Sequence, residues 1–153
     1  MAENGFENFT VLITRISRSI RRLKTEEMAE FGLKGPHVSC LYYLYRAGGS
    51  LTAAQLCERC EEDKAAISRS VEFLEREGYI RCRDGEGRRY KSPLMLTERG
   101  SAIGCRIAEK IRQIVERAGE DLPVSERAAM YQALTGICLR LEAICAQNKE
   151  KER

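Results

Sequence analysis

Between Leu51 and Leu96 the hydrophobic pattern changes period once, and that change constrains the fold more than any other feature of the chain. A short helical stretch runs from Ala53 to about Cys60, a connection of about four residues (Cys60-Glu61-Glu62-Asp63) follows, and a longer helix covers Lys64 to Glu77. In the longer helix Ile67, Val71 and Leu74 recur at helical spacing and share one inward face. Thr52 and Asp63 stand just before the two helices, where a side-chain oxygen can accept from the unpaired amides of a first turn. The charge of Asp63 also suits the positive end of a helix dipole. Gly78 ends the longer helix.

Beyond Gly78 the period becomes that of a strand over Tyr79 to Arg83, with a turn at Asp84-Gly85-Glu86-Gly87 and a second strand from about Arg88 to Leu96. Pro93 has no amide to give to a ladder, so the second strand is expected at an edge, or bulged there. Two helices joined by a tight turn form a helix-turn-helix, and a hairpin directly after them is a wing. The fold class expected is therefore mainly α with a small β-hairpin wing.

Long helices flank this centre. Phe6, Phe9, Ile13, Ile16 and Ile20 predict a one-sided helix over Phe6 to Leu23. Gly32, Gly35 and Pro36 break the pattern, and a second helix runs from about Pro36 to Ala47, stopping at Gly48-Gly49. After the wing, Thr97 starts a helix with Ile103, Ile107, Ile111 and Ile114 inward, ending near Gly119. The last helix begins between Pro123 and Ser125. Its apolar residues Met130, Leu134, Ile137, Leu141 and Ile144 alternate by four and three, as in a coiled-coil seam. The polar end, Gln147 to Arg153, is expected to fray.

A chain of 153 residues fits one domain, and 43% hydrophobic residues supply a core. No stretch approaches the roughly 18 apolar residues of a membrane span, and no signal-like apolar run opens the chain, so a cytoplasmic protein without membrane partners is expected. Seven cysteines in a reducing compartment are expected as free thiols. With a single histidine, His37, and one Cys-x-x-Cys, no metal site is expected, and no cofactor either. A Gly-rich phosphate loop, a Gly-x-Ser-x-Gly elbow and a suggestive acid pair are all missing from the sequence, so an enzyme is not expected.

The net charge of +3 is modest, but its placement is not even. Arg81, Arg83, Arg88, Arg89 and Lys91 face only Asp84 and Glu86 in the wing segment, an excess equal to that of the whole chain. A second basic run, Arg15, Arg18, Arg21, Arg22 and Lys24, lies on the polar side of the first helix, where a solvated face is the plain explanation.

From Leu51 to Gly100 the order of elements resembles the MarR (multiple antibiotic resistance regulator) family. The phrases that carry the resemblance are Leu74-Glu75-Arg76-Glu77-Gly78-Tyr79-Ile80, the basic wing, and Leu96-Thr97-Glu98-Arg99-Gly100. The resemblance implies one domain over residues 1–153, with a winged helix-turn-helix lobe at about 36–100 and dimerisation helices at about 4–25 and 101–147. It implies a homodimer that reads a palindromic operator in double-stranded DNA, as a repressor released by a small phenolic or aromatic effector. A two-fold dimer matches the two half-sites of a palindrome, and an apolar seam without a second seam beside it needs a partner. The alternative is that Met130 to Ile144 packs on the first helix within one chain.

Within a helix-turn-helix, the first turns of the second helix meet base edges. Those positions are Lys64, Ala65, Ala66, Ser68 and Arg69, with Thr52 nearby. The small alanines permit close approach and contact with a thymine methyl, and Arg69 can pair with guanine or phosphate. Equally, alanine favours any helix, and Arg69 could be an ordinary surface arginine. At the wing tip, Arg88 and Arg89 suit a narrow minor groove. The family's Asp-x-Arg phrase is replaced here by Gly87-Arg88-Arg89-Tyr90, leaving open which arginine inserts. The turn also departs from the common glycine with Glu61, so that either the turn has another shape or Glu61 is strained.

By the resemblance, His37, Tyr42, Tyr43 and Tyr45 border the effector region, although tyrosines at this spacing are also ordinary core residues with wet hydroxyls. Cys57 and Cys60 stand where small apolar residues pack, and they are also the candidates for thiol-based redox sensing, an alternative mode of regulation on the same fold. A further alternative is a winged-helix module used for protein contacts alone.

Overall fold

A computed structural model describes residues 4–82 and 92–151. They group into two compact units, Met1–Ile111 and Arg112–Arg153, with the boundary falling inside one long helix.

The first unit opens with α1, Asn4–Glu27, four residues longer at its C-terminal end than the apolar period indicates. A 3-10 turn, Ala29–Phe31, closes on Gly32, whose φ of 66° is left-handed. Next come α2, Gly35–Arg46, β1, Ser50–Thr52, α3, Ala53–Cys60, and α4, Lys64–Arg76. The strands β2, Ile80–Cys82, and β3, Pro93–Leu96, precede α5, Glu98–Ala118. These bounds match the expected helices to within a residue or two at most ends.

The sheet departs from the expectation in two ways. Among the described residues it has three strands rather than two, in the antiparallel order β1-β3-β2. Ser50-Leu51-Thr52 reads in sequence as a mere lead-in to α3, because three residues are too few to display a period. In the fold they pair as Ser50↔Met95, Leu51↔Leu94 and Thr52↔Pro93. The second departure is Pro93, which belongs to the central strand and not to an edge. It is tolerated because it is the first residue of β3, and the ladder to β2 begins one residue later at Cys82↔Leu94.

The core lies where these elements meet. Val38, Leu41 and Leu44 of α2, Leu56 of α3 and Leu74 of α4 are fully buried, joined by Ile67, Ile80, Leu94 and Ile107. All three residues assigned to the inward face of α4 are buried. On α5, Ile107 is fully buried, and Ile103 and Ile111 pack against the cluster half-buried.

The second unit carries the end of α5, a turn, and α6, Val124–Lys151. Arg127 fastens the turn by donating from Nη2 to the Gly119 carbonyl at 2.6 Å. The helix continues through Gln147 to Lys151, where fraying is expected from the polar composition. Lys and Glu are good helix formers, so polarity alone does not end a helix that is already nucleated. Four of the five seam positions of α6 are exposed, among them Leu141 at 49% and Ile144 at 52%, while Ile137 is half-buried. Large apolar residues of α1 are exposed too, among them Ile16 at 53% and Ile20 at 48%.

Candidate nucleic-acid interface

The geometry around α4 is built from its N-terminus. Asp63 is in extended backbone and its Oδ1 accepts from the Ala66 amide at 2.7 Å, so the helix begins where the sequence places it. The first turns then present Lys64, Ala65, Ser68 and Arg69 to solvent, with Ala66 half-buried and Ile67 in the core. Five of the expected contact residues thus share one helix start. Thr52 lies apart from them, at the N-cap of α3. Its Oγ1 accepts from the Gln55 amide at 3.2 Å, while the Gln55 side chain accepts from the Thr52 amide at 2.9 Å. This reciprocal pair secures the start of α3. Arg88 and Arg89, the wing-tip candidates, lie outside the described residues.

The turn between α3 and α4 resolves the question of Glu61. Its φ of 54° and ψ of 37° are left-handed, and it is the one non-glycine with positive φ among the described residues. The chain therefore keeps the ordinary turn and strains the glutamate.

Sequence reading missed the fastening at the base of the wing. The Thr97 hydroxyl donates to the Gly78 carbonyl at 2.7 Å and accepts from the Gly100 amide at 3.0 Å. Arg99 donates to the Glu77 carbonyl at 2.8 Å and to the Tyr79 hydroxyl at 3.2 Å, its guanidinium lying 4.4 Å over the Tyr79 ring. Gly100 is required by contact, since a Cβ there would lie 1.8 Å from the Tyr79 carbonyl oxygen. The start of α5 is thereby tied to the end of α4 and the start of β2. Spacing alone shows a helix start at Thr97, but not which distant carbonyls it holds.

The four residues expected near an effector do not converge. A cavity of about 690 Å³ is lined by Ile13, Ile16 and Ile20 of α1 together with Lys24, Tyr43, Arg59 and Cys60, and of the four only Tyr43 reaches it. Tyr42 packs edge-on against Tyr43, with ring centroids 5.3 Å apart. Tyr45 packs on Gly104, where an added Cβ would sit 2.9 Å from its own, and interaction with Cys105 raises its pKa. His37 is a core residue, 9% exposed, stacked on Phe73 with centroids 4.0 Å apart. Its Nδ1 accepts from the Lys34 amide at 3.3 Å, and burial, with Lys34 adding to it, holds its pKa below the ordinary imidazole value.

Cys57 and Cys60 are half-buried and pack against the core. Cys40 of α2 is fully buried, and interaction with Cys60 together with burial pushes its thiol pKa up, while interaction with Cys40 holds the Cys60 thiol down. Among the described residues no cluster of three or more candidate ligands could hold a metal ion. Nor is any described helix long and apolar enough to cross a membrane.

Comparison with known proteins agrees with this geometry. Residues 31–89 match the family model described as the MarR family. No curated protein matches the sequence. Among solved structures, a MarR family regulator from Neisseria meningitidis superposes with a TM-score of 0.75 at 20% identity, over 93% of this chain and 96% of that one. A MarR family transcriptional regulator from Silicibacter pomeroyi gives 0.75 at 24% identity, covering 90% and 92%. A MarR family regulator from Listeria monocytogenes, solved with a 26mer DNA, gives 0.74 at 20% identity, covering 84% and 85%. The chain thus carries the MarR family pattern over residues 31–89 and, along most of its length, the winged helix-turn-helix fold of MarR family regulators.

Proposed function

We propose that this protein is a DNA-binding transcription regulator that acts as a homodimer on a palindromic operator. The observation that carries the reading is α4 itself, a helix capped by Asp63 whose opening turns display Lys64, Ala65, Ser68 and Arg69 to solvent while its opposite face fills the core. That division of faces suits insertion into a major groove, with Arg69 on a guanine or a phosphate and the alanines against thymine methyls. Arg88 and Arg89 at the wing tip are assigned to the flanking minor groove. A structurally similar regulator was solved with DNA, which adds support.

The dimer is inferred from the uncovered apolar residues of α1 and α6, which a soluble chain does not leave bare without a partner. A repressor released by a small aromatic molecule fits the cavity beside Tyr43, whose volume lies within the roughly 300 to 1,000 Å³ range of ligand sites.

Retention of operator DNA over a salt series tests the reading. The wild type is expected to lose affinity steeply with salt, because phosphate contacts release counterions. Arg69→Ala is expected to abolish specific retention, and Tyr43→Ala to leave it intact. Wild-type retention by Arg69→Ala would overturn the site assignment. No retention by the wild type at low salt would favour a module for protein contacts alone.

A further inference from the structure

We propose that Arg99 is a positioning residue for DNA recognition, which fixes the angle between α4 and the wing strand β2 so that both meet one duplex together. This role rests on the DNA-binding reading of α4. The helix has its C-cap at Glu77 and β2 begins at Ile80, so the joint between them is Gly78 and Tyr79. Gly78 is left-handed, with a φ of 76°. Glycine has a wide choice of backbone conformations, and a joint built on it does not hold an angle by itself.

The first turn of α5 holds the joint from outside. The carbonyls of Glu77, Gly78 and Tyr79 all accept from Thr97 or Arg99. Thr97 serves the strand side, its hydroxyl donating to the Gly78 carbonyl at 2.7 Å and its amide to the Tyr79 carbonyl at 3.0 Å. Arg99 reaches the helix side. Its Nη1 donates to the Glu77 carbonyl at 2.8 Å, one of the carbonyls that a helix end leaves without an internal partner. Its Nη2 donates to the Tyr79 hydroxyl at 3.2 Å, with the guanidinium 4.4 Å from the ring centroid. One planar, rigid group therefore grips both sides of the glycine, which a flexible lysine ammonium does not reproduce.

Arg99 is exposed, whereas Tyr79 and Gly100 are buried. Removing its side chain leaves the Thr97 bonds and the core in place, so the fold survives and the joint loosens. An arginine serving only as a phosphate contact would keep its donors turned to solvent, but here Nη1 and Nη2 both donate within the lobe.

The test uses the full chain and a duplex enriched by the wild type from a random-sequence library. Protection of guanine N7 from dimethyl sulfate reports the major groove, and hydroxyl-radical protection of flanking deoxyriboses reports the minor groove. Arg99→Ala is expected to keep the first and lose the second. Its affinity is expected to be about tenfold lower, the order lost when a preorganised contact has to be ordered on binding. Its urea midpoint is expected to stay near that of the wild type, as for a surface substitution. Tyr79→Phe, which removes the hydroxyl that Nη2 holds, is expected to weaken the flanking protection and to add nothing further to Arg99→Ala. Arg99→Lys is expected to leave the flanking protection lost. Full affinity in the lysine variant would indicate a phosphate contact and overturn the proposal. Unchanged flanking protection in Arg99→Ala would do the same, as would loss of both protections with a collapsed midpoint, the mark of a purely structural role. A wild type that enriches no duplex and protects neither groove would instead remove the DNA-binding reading, and this role with it.

Discussion

At Glu61 and Gly100 two single residues meet opposite demands from the same lobe. Glu61 holds a left-handed backbone with an L side chain, a conformation that costs roughly 1 to 2 kcal/mol. Glu61→Gly is therefore expected to stabilise the protein by about 1 kcal/mol, read as a higher urea midpoint at an unchanged slope. Gly100→Ala is expected to destabilise by about 2 kcal/mol or more, because its Cβ would collide with a backbone carbonyl that cannot rotate aside. Both were unequally legible in the sequence. A glutamate in a helix-turn-helix turn announces a conflict, and only coordinates show that the backbone wins it. Gly100 is visible in the sequence as the end of the phrase Leu-Thr-Glu-x-Gly, whereas the carbonyl that requires it, that of Tyr79, is brought there by the fold.

At the scale of elements, helices were legible and strands less so. A period of 3.6 repeats several times within α1, α4 and α5, while three- and four-residue strands provide too little pattern to count. β1 was accordingly missed, and with it the central place of Pro93. The joint between α2 and α4 contains a pH-sensitive contact in the stack of His37 on Phe73. Because folding lowers the His37 pKa, the unfolded chain binds the proton more readily. The stability that this neutral imidazole contributes is complete above its ordinary value near 6.5 and is lost as pH falls from there through the folded value. Unfolding free energy is expected to decline in that window, and His37→Gln is expected to remove that part of the decline. Since His37 is the only histidine, its imidazole resonance in a proton NMR titration reports the shift directly. A titration midpoint at or above the ordinary value would contradict the assignment.

At the scale of the whole molecule, the account depends on apolar residues that one chain leaves uncovered. Ile13, Ile16 and Ile20 on α1, and Met130, Leu134, Leu141 and Ile144 on α6, were legible as periodic seams and are exposed in the single chain. Placing aspartates at two of the α6 positions, as in Leu134→Asp with Leu141→Asp, is expected to halve the mass measured by light scattering. The winged lobe should keep its helical signal, since its own core is elsewhere. The central claim is that two such chains present two copies of α4 to one duplex. Selection of bound duplexes from a random-sequence library measures this most directly. The account predicts enrichment of an inverted repeat whose half-site centres lie about one helical turn, or a whole multiple of it, apart. Enrichment of a lone, asymmetric half-site, or no enrichment over the starting pool, would contradict it.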